Sequence, residues 1–198
     1  VSDVTFCYTE EERRVLEEYG VKGNVRVIPN GIDPTLFTPN GPVFDIEVPP
    51  DEKVVLFVGR LVEGKCPGDV LEAFKDASEN GPELRLIFCG DGPLRSDLED
   101  RAEQWGLSDR VDFLGYVPHQ AMPSLYRLAD IFVLTSRTEG FPRTVMEALA
   151  CETPILMSRL DQLTSVIDVA GRGVESGDVS AIARRIEELA TDPGLRDR

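Results

Sequence analysis

From residue 54 onward the chain alternates between two hydrophobic rhythms. Short β-branched and aromatic runs, "VVLFVG" (54–59) and "LRLIFCG" (84–90), read as buried strands ending in glycine. Between them "PGDVLEAFKDASENG" spaces its apolar residues at helical intervals and closes on Gly81. The pattern continues with a helix over "PLRSDLEDRAEQWG", a strand at "VDFLG", a helix ending near Ala129 and a strand at "IFVLTS". It ends with a helix that Pro142 opens as its first residue, a strand at "TPILMS" and a helix around "SAIARRIEELA". Alternation of this kind predicts an α/β fold: a Rossmann-like parallel sheet flanked by helices.

The first fifty residues differ. "VTFCYT" reads as a strand, "EEERRVLEEYG" as a helix and "VRVIPNG" as a strand running into an Asn-Gly turn. Prolines then recur from Pro29 to Pro50, as in an extended connector lying over the surface between two bodies. Three segments follow: 1–28, a connector over 29–52, and the α/β domain over 53–198. The start at Val1, and an end just past the last helical pattern, read as cuts from a longer polypeptide.

Composition narrows the function. A formal charge of −15 opposes binding to nucleic acid phosphates. Only Lys22, Lys53, Lys65 and Lys75 among the 21 basic residues are lysines, and this skew predicts a halophilic source whose acidity serves solubility. No apolar run approaches the ~20 residues of a membrane helix and the N-terminus lacks a signal-peptide pattern, so a cytoplasmic location is expected. Cys7, Cys66, Cys89 and Cys151 form no CxxC pair and read as reduced, buried residues, with neither a zinc site nor a redox pair. The single histidine, His119, sits where a helix start is expected.

Chemistry is sought in the loops at the carboxyl ends of the strands, where open α/β sheets bind ligands. "GRLVEGK", Gly59 to Lys65, has the spacing of a phosphate-binding P-loop, but Cys66 lacks the hydroxyl that would hold Mg²⁺ and Pro67 follows it. Arg60 and Lys65 together, one planar and bidentate and one a mobile point charge, suit a diphosphate. "FCGDGP" is too short for a dinucleotide fingerprint. In "EGFPRTVMEALA" the amides from Gly140 through Val145 can face an anion at a helix start, and Glu139 and Glu147 can then accept hydroxyls on either side of it. A sugar nucleotide offers hydroxyls on both sides of its phosphates.

These motifs in order, "VIPNGID", "VGRLVEGK", "CGDGP", "FLGYV" and "EGFPRTVMEALA", resemble the GT-B glycosyltransferases of the group 1, or family 4, class over nearly the whole chain. The resemblance implies the C-terminal half of a GT-B fold. Residues 53–198 would be the nucleotide-sugar donor domain, truncated at its C-terminus, and 1–28 the tail of an N-terminal acceptor domain. It implies a retaining hexosyltransferase-type reaction that moves a sugar from a UDP- or GDP-type donor to an acceptor hydroxyl, with no metal or other cofactor. Arg60 and Lys65 would contact the diphosphate, aided by the backbone near Thr144 and Val145. Glu147 would accept the ribose hydroxyls, and Glu139 those of the transferred sugar, with Gly140, Phe141, Pro142 and Arg143 helping. Gly59 would line the donor site, and the backbone at Tyr116 and Val117 would meet the base. The acceptor, a sugar, lipid or protein, and any peripheral membrane contact would belong to the N-terminal domain. This chain alone would then bind donor and transfer poorly.

The sequence departs from the family pattern at Cys151-Glu152, where a glycine is common, and at Arg159-Leu160-Asp161, which replace a glycine pair. The pattern read here does not extend to the C-terminal helix that, in the family, crosses back to the N-terminal domain. A non-catalytic nucleotide-sugar binding module and a P-loop NTPase are the alternatives.

Overall fold

Runs of apolar residues on both faces of a strand can be buried only in the middle layer of a sandwich, and the strands from residue 53 onward are placed there. The computed structural model describes residues 4–8, 10–21, 23–28, 31–79, 81–140, 142–160 and 171–196. In chain order the large sheet is built from β3 (Lys53–Val58), β4 (Leu84–Cys89), β5 (Val111–Gly115), β6 (Ile131–Leu134), β7 (Ile155–Ser158) and β8 (Gly171–Val174). All pair in parallel, in the order β5-β4-β3-β6-β7-β8. This is the doubly wound order, so the winding direction reverses between β3 and β6.

Alternate strand residues serve opposite faces. Val55, Phe57, Leu86, Phe88, Ile131 and Val133 join one core with α2 (Pro67–Glu79), α3 (Arg95–Gln104) and α6 (Val179–Thr191). Val54, Leu56, Ile87, Cys89, Phe132 and Leu134 join the other with α4 (Met122–Leu128) and α5 (Arg143–Ala150). Local signals start the helices: Pro67 opens α2, and the Asp178 carboxylate caps α6 by accepting the Ala181 amide at 2.9 Å. A short α7 (Pro193–Arg196) follows.

Two elements lie beyond the hydrophobic pattern. β8, "GRGV", has two glycines and one apolar side chain, and is a strand because its backbone extends the ladder of β7. α7 has only four residues, too few for a periodic signal. The expected strand "IFVLTS" ends at Leu134, which frees Thr135 to bond with the neighbouring loop and Ser136 to bond with Glu139 of its own loop.

Before the sheet, β1 (Val4–Cys7) and β2 (Asn24–Val27) pair in parallel around α1 (Glu10–Glu18), as the sequence suggests. Residues 31–52 contain no helix or strand, yet they do more than lie over the surface. Phe37 is 2% exposed and enters the core beside α4, with Ile32, Leu36, Phe44, Ile46 and Val48 packed against the same cluster. The Arg127 guanidinium, from α4, donates to the Thr38 carbonyl at 3.0 Å and the Pro42 carbonyl at 2.9 Å. No helix among the described residues is long and apolar enough to cross a membrane.

Candidate functional site

Reversal of winding opens a crevice at the carboxyl ends of β3 and β6, and the loops that follow these two strands meet there. After β3 the chain passes through Gly59, Arg60 and the buried Leu61 into a 3₁₀ turn, Glu63–Lys65. Cys66, at φ 52°, then turns it into α2. After β6, Thr135 and Ser136 are fully buried. The Thr135 hydroxyl lies 3.2 Å from both the Lys65 and Cys66 carbonyls, and the Arg137 amide donates to the Gly64 carbonyl at 3.0 Å. The two loops are therefore one stitched unit.

At its centre the Lys65 ammonium pairs with Glu139 Oε1. The Ser136 hydroxyl donates to the same oxygen at 2.6 Å. The Glu139 side chain is 9% exposed, so its charge is kept in a partly dry place by a cation and a hydroxyl. Lys65 does not head a helix as a P-loop lysine does, because Cys66 is left-handed and α2 begins only at Pro67; its side chain turns to Glu139.

"CGDGP" has a packing role. The 59–61 segment runs so close to it that a β-carbon on Gly90 would collide with the Gly59 carbonyl oxygen. One on Gly92 would strike the Leu61 backbone. Amide bonds from Gly59 to Cys89, Leu61 to Asp91 and Gly90 to Gly115 tie the loops after β3, β4 and β5 together.

Pro142, expected as the first helical residue, takes the capping position before it. Its ψ of 117° is extended, while its carbonyl already accepts the Val145 amide at 3.2 Å. Arg143 therefore opens α5. The Val145 amide, expected to face an anion, is engaged by that bond and its side chain is buried. The amides at Arg143 and Thr144 begin the helix and have no carbonyl one turn back. Phe141 lies outside the described residues. Beside Gly140, Glu12 of α1 places Oε1 3.3 Å from where a β-carbon would stand, so the N-terminal unit reaches this loop.

One turn into α5, Glu147 is 5% exposed. Tyr126 OH donates to Oε2 at 2.9 Å, while His119 Nε2 stands 3.4 Å and Arg143 Nη2 3.8 Å from Oε1. Burial first, and then the Glu147 charge and hydrogen bond, push the Tyr126 phenol well above its usual range, so it remains a donor.

Arg60, Gly59, Tyr116 and Val117 come together elsewhere on the same rim. They line a groove of about 430 Å³ with Val58, Cys89, Gly90, Asp91 and Met122. Tyr116 is 83% exposed above it. The predicted residues thus fall into three neighbouring sets: this groove, the Lys65–Glu139 pair, and Glu147 with its partners. Arg60 belongs to the groove, whereas Lys65 belongs to the pair. Among the described residues no group of three or more His, Cys, Asp or Glu side chains is arranged to hold a metal ion.

A family model described as "Glycosyl transferases group 1" matches residues 43–198. The chain belongs to this family. It is 34% identical over 182 residues to an uncharacterized glycosyltransferase of Methanocaldococcus jannaschii, covering 87% of this chain and 46% of that protein. The sucrose-phosphate synthase of Thermosynechococcus elongatus superposes with a TM-score of 0.82 at 28% identity, over 100% of this chain and 51% of that one. The C-terminal domain of a glycosyl transferase group 1 family protein from Francisella tularensis superposes with a TM-score of 0.72 at 24% identity, over 84% of this chain and 91% of that domain. The fold is thus the Rossmann-like half of a GT-B glycosyltransferase, and the chain spans about half the length of the larger proteins it matches.

Several groups around the group 1 motifs have no signal of their own in the sequence. Ser136 precedes Glu139 by three residues and holds it, and Tyr126 is an apolar-periodic helix residue whose hydroxyl happens to reach Glu147. His119 does begin a 3₁₀ turn, His119–Ala121, as its position suggests, but its ring also reaches Glu147. At the departures from the family pattern, Glu152 is exposed at φ 58° in the left-handed turn that closes α5. The Arg159 amide bonds the Val174 carbonyl at 2.7 Å, and Asp161 lies outside the described residues. All four cysteines are buried.

Proposed function

We propose that this chain holds the nucleotide-diphosphate sugar donor of a glycosyl transfer that proceeds with retention, the acceptor being supplied by a domain outside it. The observation that carries this reading is the Lys65–Glu139 pair at the reversal point of the sheet. A cation and an acid held side by side can meet, respectively, a phosphate and the hydroxyls of a sugar attached to it. Arg60 and Lys65 contact the diphosphate from two sides, and the first amides of α5 add partial positive charge. Glu139 accepts hydroxyls of the transferred sugar, with Gly140, Phe141, Pro142 and Arg143 shaping that end. Glu147 accepts the ribose hydroxyls, and the groove at Gly59, Tyr116 and Val117 receives the base.

In the reaction the bond between the anomeric carbon and the leaving phosphate oxygen breaks, and the acceptor oxygen attacks from the same face. The acceptor proton passes to the departing phosphate. The developing negative charge is met by Arg60, Lys65 and the α5 amides, fixed in place before the reaction, so the step calls for neither a metal ion nor a protein nucleophile. Calorimetric titration of this chain in high salt with UDP, GDP and ADP tests the reading. One nucleotide should bind, and Lys65→Ala and Glu147→Ala should each weaken it at least tenfold. If all three nucleotides fail to bind, or if binding is indifferent to both substitutions, the reading is wrong.

A further inference from the structure

Glu147 has two ring neighbours of very different character. Tyr126, fully buried, grips Oε2 from inside the core. His119, with a side chain 46% exposed, stands at Oε1 on the solvent side. A histidine so exposed would ordinarily sample several rotamers, but here its ring meets the buried Phe37 ring edge-on, with centroids 5.2 Å apart. Phe37 also packs on Tyr126, at 6.2 Å. One aromatic residue from the 31–52 segment therefore buttresses both rings beside the carboxylate.

We propose that His119 is a positioning residue for nucleotide binding, keeping the Arg143 guanidinium off Glu147 Oε1 so that the free lone pairs of the carboxylate face a vicinal diol. This rests on the reading above, in which Glu147 accepts the ribose hydroxyls. A carboxylate has about four acceptor sites. Tyr126 occupies one on Oε2, which leaves one there and both on Oε1 for the two hydroxyls. Arg143 Nη2 donates to His119 Nε2 at 3.3 Å and stands 3.8 Å from Oε1, so the imidazole holds the guanidinium just short of the carboxylate. Without the imidazole nitrogen, the exposed Arg143 takes over Oε1 and turns the carboxylate away from that geometry.

The experiment compares binding of a ribonucleoside diphosphate and its 2′-deoxy counterpart, UDP with dUDP and GDP with dGDP, to wild type and three variants in high salt. Wild type should prefer the ribonucleotide by about tenfold or more, the size of a hydrogen bond to a charged acceptor. His119→Phe, which keeps the ring against Phe37 but removes both nitrogens, should bring ribonucleotide binding down to the deoxynucleotide level and leave the latter unchanged. His119→Gln, whose amide oxygen can accept from Arg143 in the place of Nε2, should restore most of the preference. An equal loss for both nucleotides in His119→Phe, or a preserved preference, would overturn the role of His119. Glu147→Gln separates the two layers. If it abolishes the preference while His119→Phe does not, only the positioning role fails. If it leaves the preference intact, or if wild type binds no nucleotide, the ribose reading fails and the positioning role with it.

Discussion

Lys65 and Glu139 lie 74 residues apart in the chain and form an ion pair across the point where the sheet reverses its winding. Under the proposed function, both partners must also meet the donor. Glu139→Gln is therefore expected to act in opposite directions on two ligands. A bare nucleoside diphosphate should bind a few-fold tighter, because Lys65 is released and a negative charge near the phosphates is removed. The corresponding nucleotide sugar should bind about tenfold or more weakly, having lost its acceptor. Calorimetry on both ligands checks this, and a change of the same sign for both would refute it.

The same pair makes a stability prediction. Lys65→Ala leaves Glu139 in a partly dry site without its cation, which should cost about 1–3 kcal/mol in urea denaturation. Because Glu139→Gln removes the stranded charge, the double variant should be more stable than the sum of the single effects allows. Additive losses would mean that the two side chains do not interact in solution.

Gly90 and Gly64 should respond differently to alanine. Gly90 has φ 135° and its missing side chain makes room for the Gly59 carbonyl, so Gly90→Ala should lose roughly 2 kcal/mol or more and impair nucleotide binding by displacing the 59–61 segment. Gly64 has open space around it, and Gly64→Ala should be nearly neutral in the melting temperature. In a true P-loop the second glycine would tolerate no such change.

Glu152 sits at φ 58° where α5 ends, with its own amide on the Leu149 carbonyl and the next amide, Thr153, on Ala148. A left-handed residue here favours glycine by about 1 kcal/mol. Glu152→Gly should raise the unfolding free energy by that amount without altering nucleotide binding.

Alkali should destabilise the protein through a buried thiol. Burial pushes the Cys89 thiol up to about 11, so the unfolded chain releases this proton at a lower pH than the folded one. The stabilisation is fully present below the ordinary thiol range and is lost as pH rises from there through 11. Cys89 alone contributes about 2–3 kcal/mol to this loss. Cys89→Ala should flatten the decline in denaturation midpoint between pH 8 and 11; an unchanged slope would remove Cys89 as its cause.

Most of the sheet was legible because its strands are buried on both faces and carry unbroken apolar runs. "GRGV" was not, since its two glycines and one arginine carry no strand signal, and its conformation comes from the ladder beside it. The sequence could place the candidate residues Arg60, Lys65 and Glu139 on the loops after β3 and β6, and Glu147 on the helix that follows. The site's supporting groups were hidden for another reason. Tyr126, His119 and Phe37 meet Glu147 or each other only after folding, and nothing in the local sequence distinguishes a tyrosine that fills a core from one that also holds a carboxylate. Pro142 shows the limit at one residue's scale, because a proline fits both the capping position and the first helical one.

Phe37 and Arg127 also decide where this molecule can bend. The chain from Phe37 to Pro42 is anchored by a buried ring and by the guanidinium's bonds to Thr38 and Pro42. A hinge cannot form within a clamped stretch. Any swing of the β1–α1–β2 unit relative to the large sheet therefore pivots upstream of Phe37, and the anchored stretch acts as a short lever whose fixed end rests on the two rings beside Glu147.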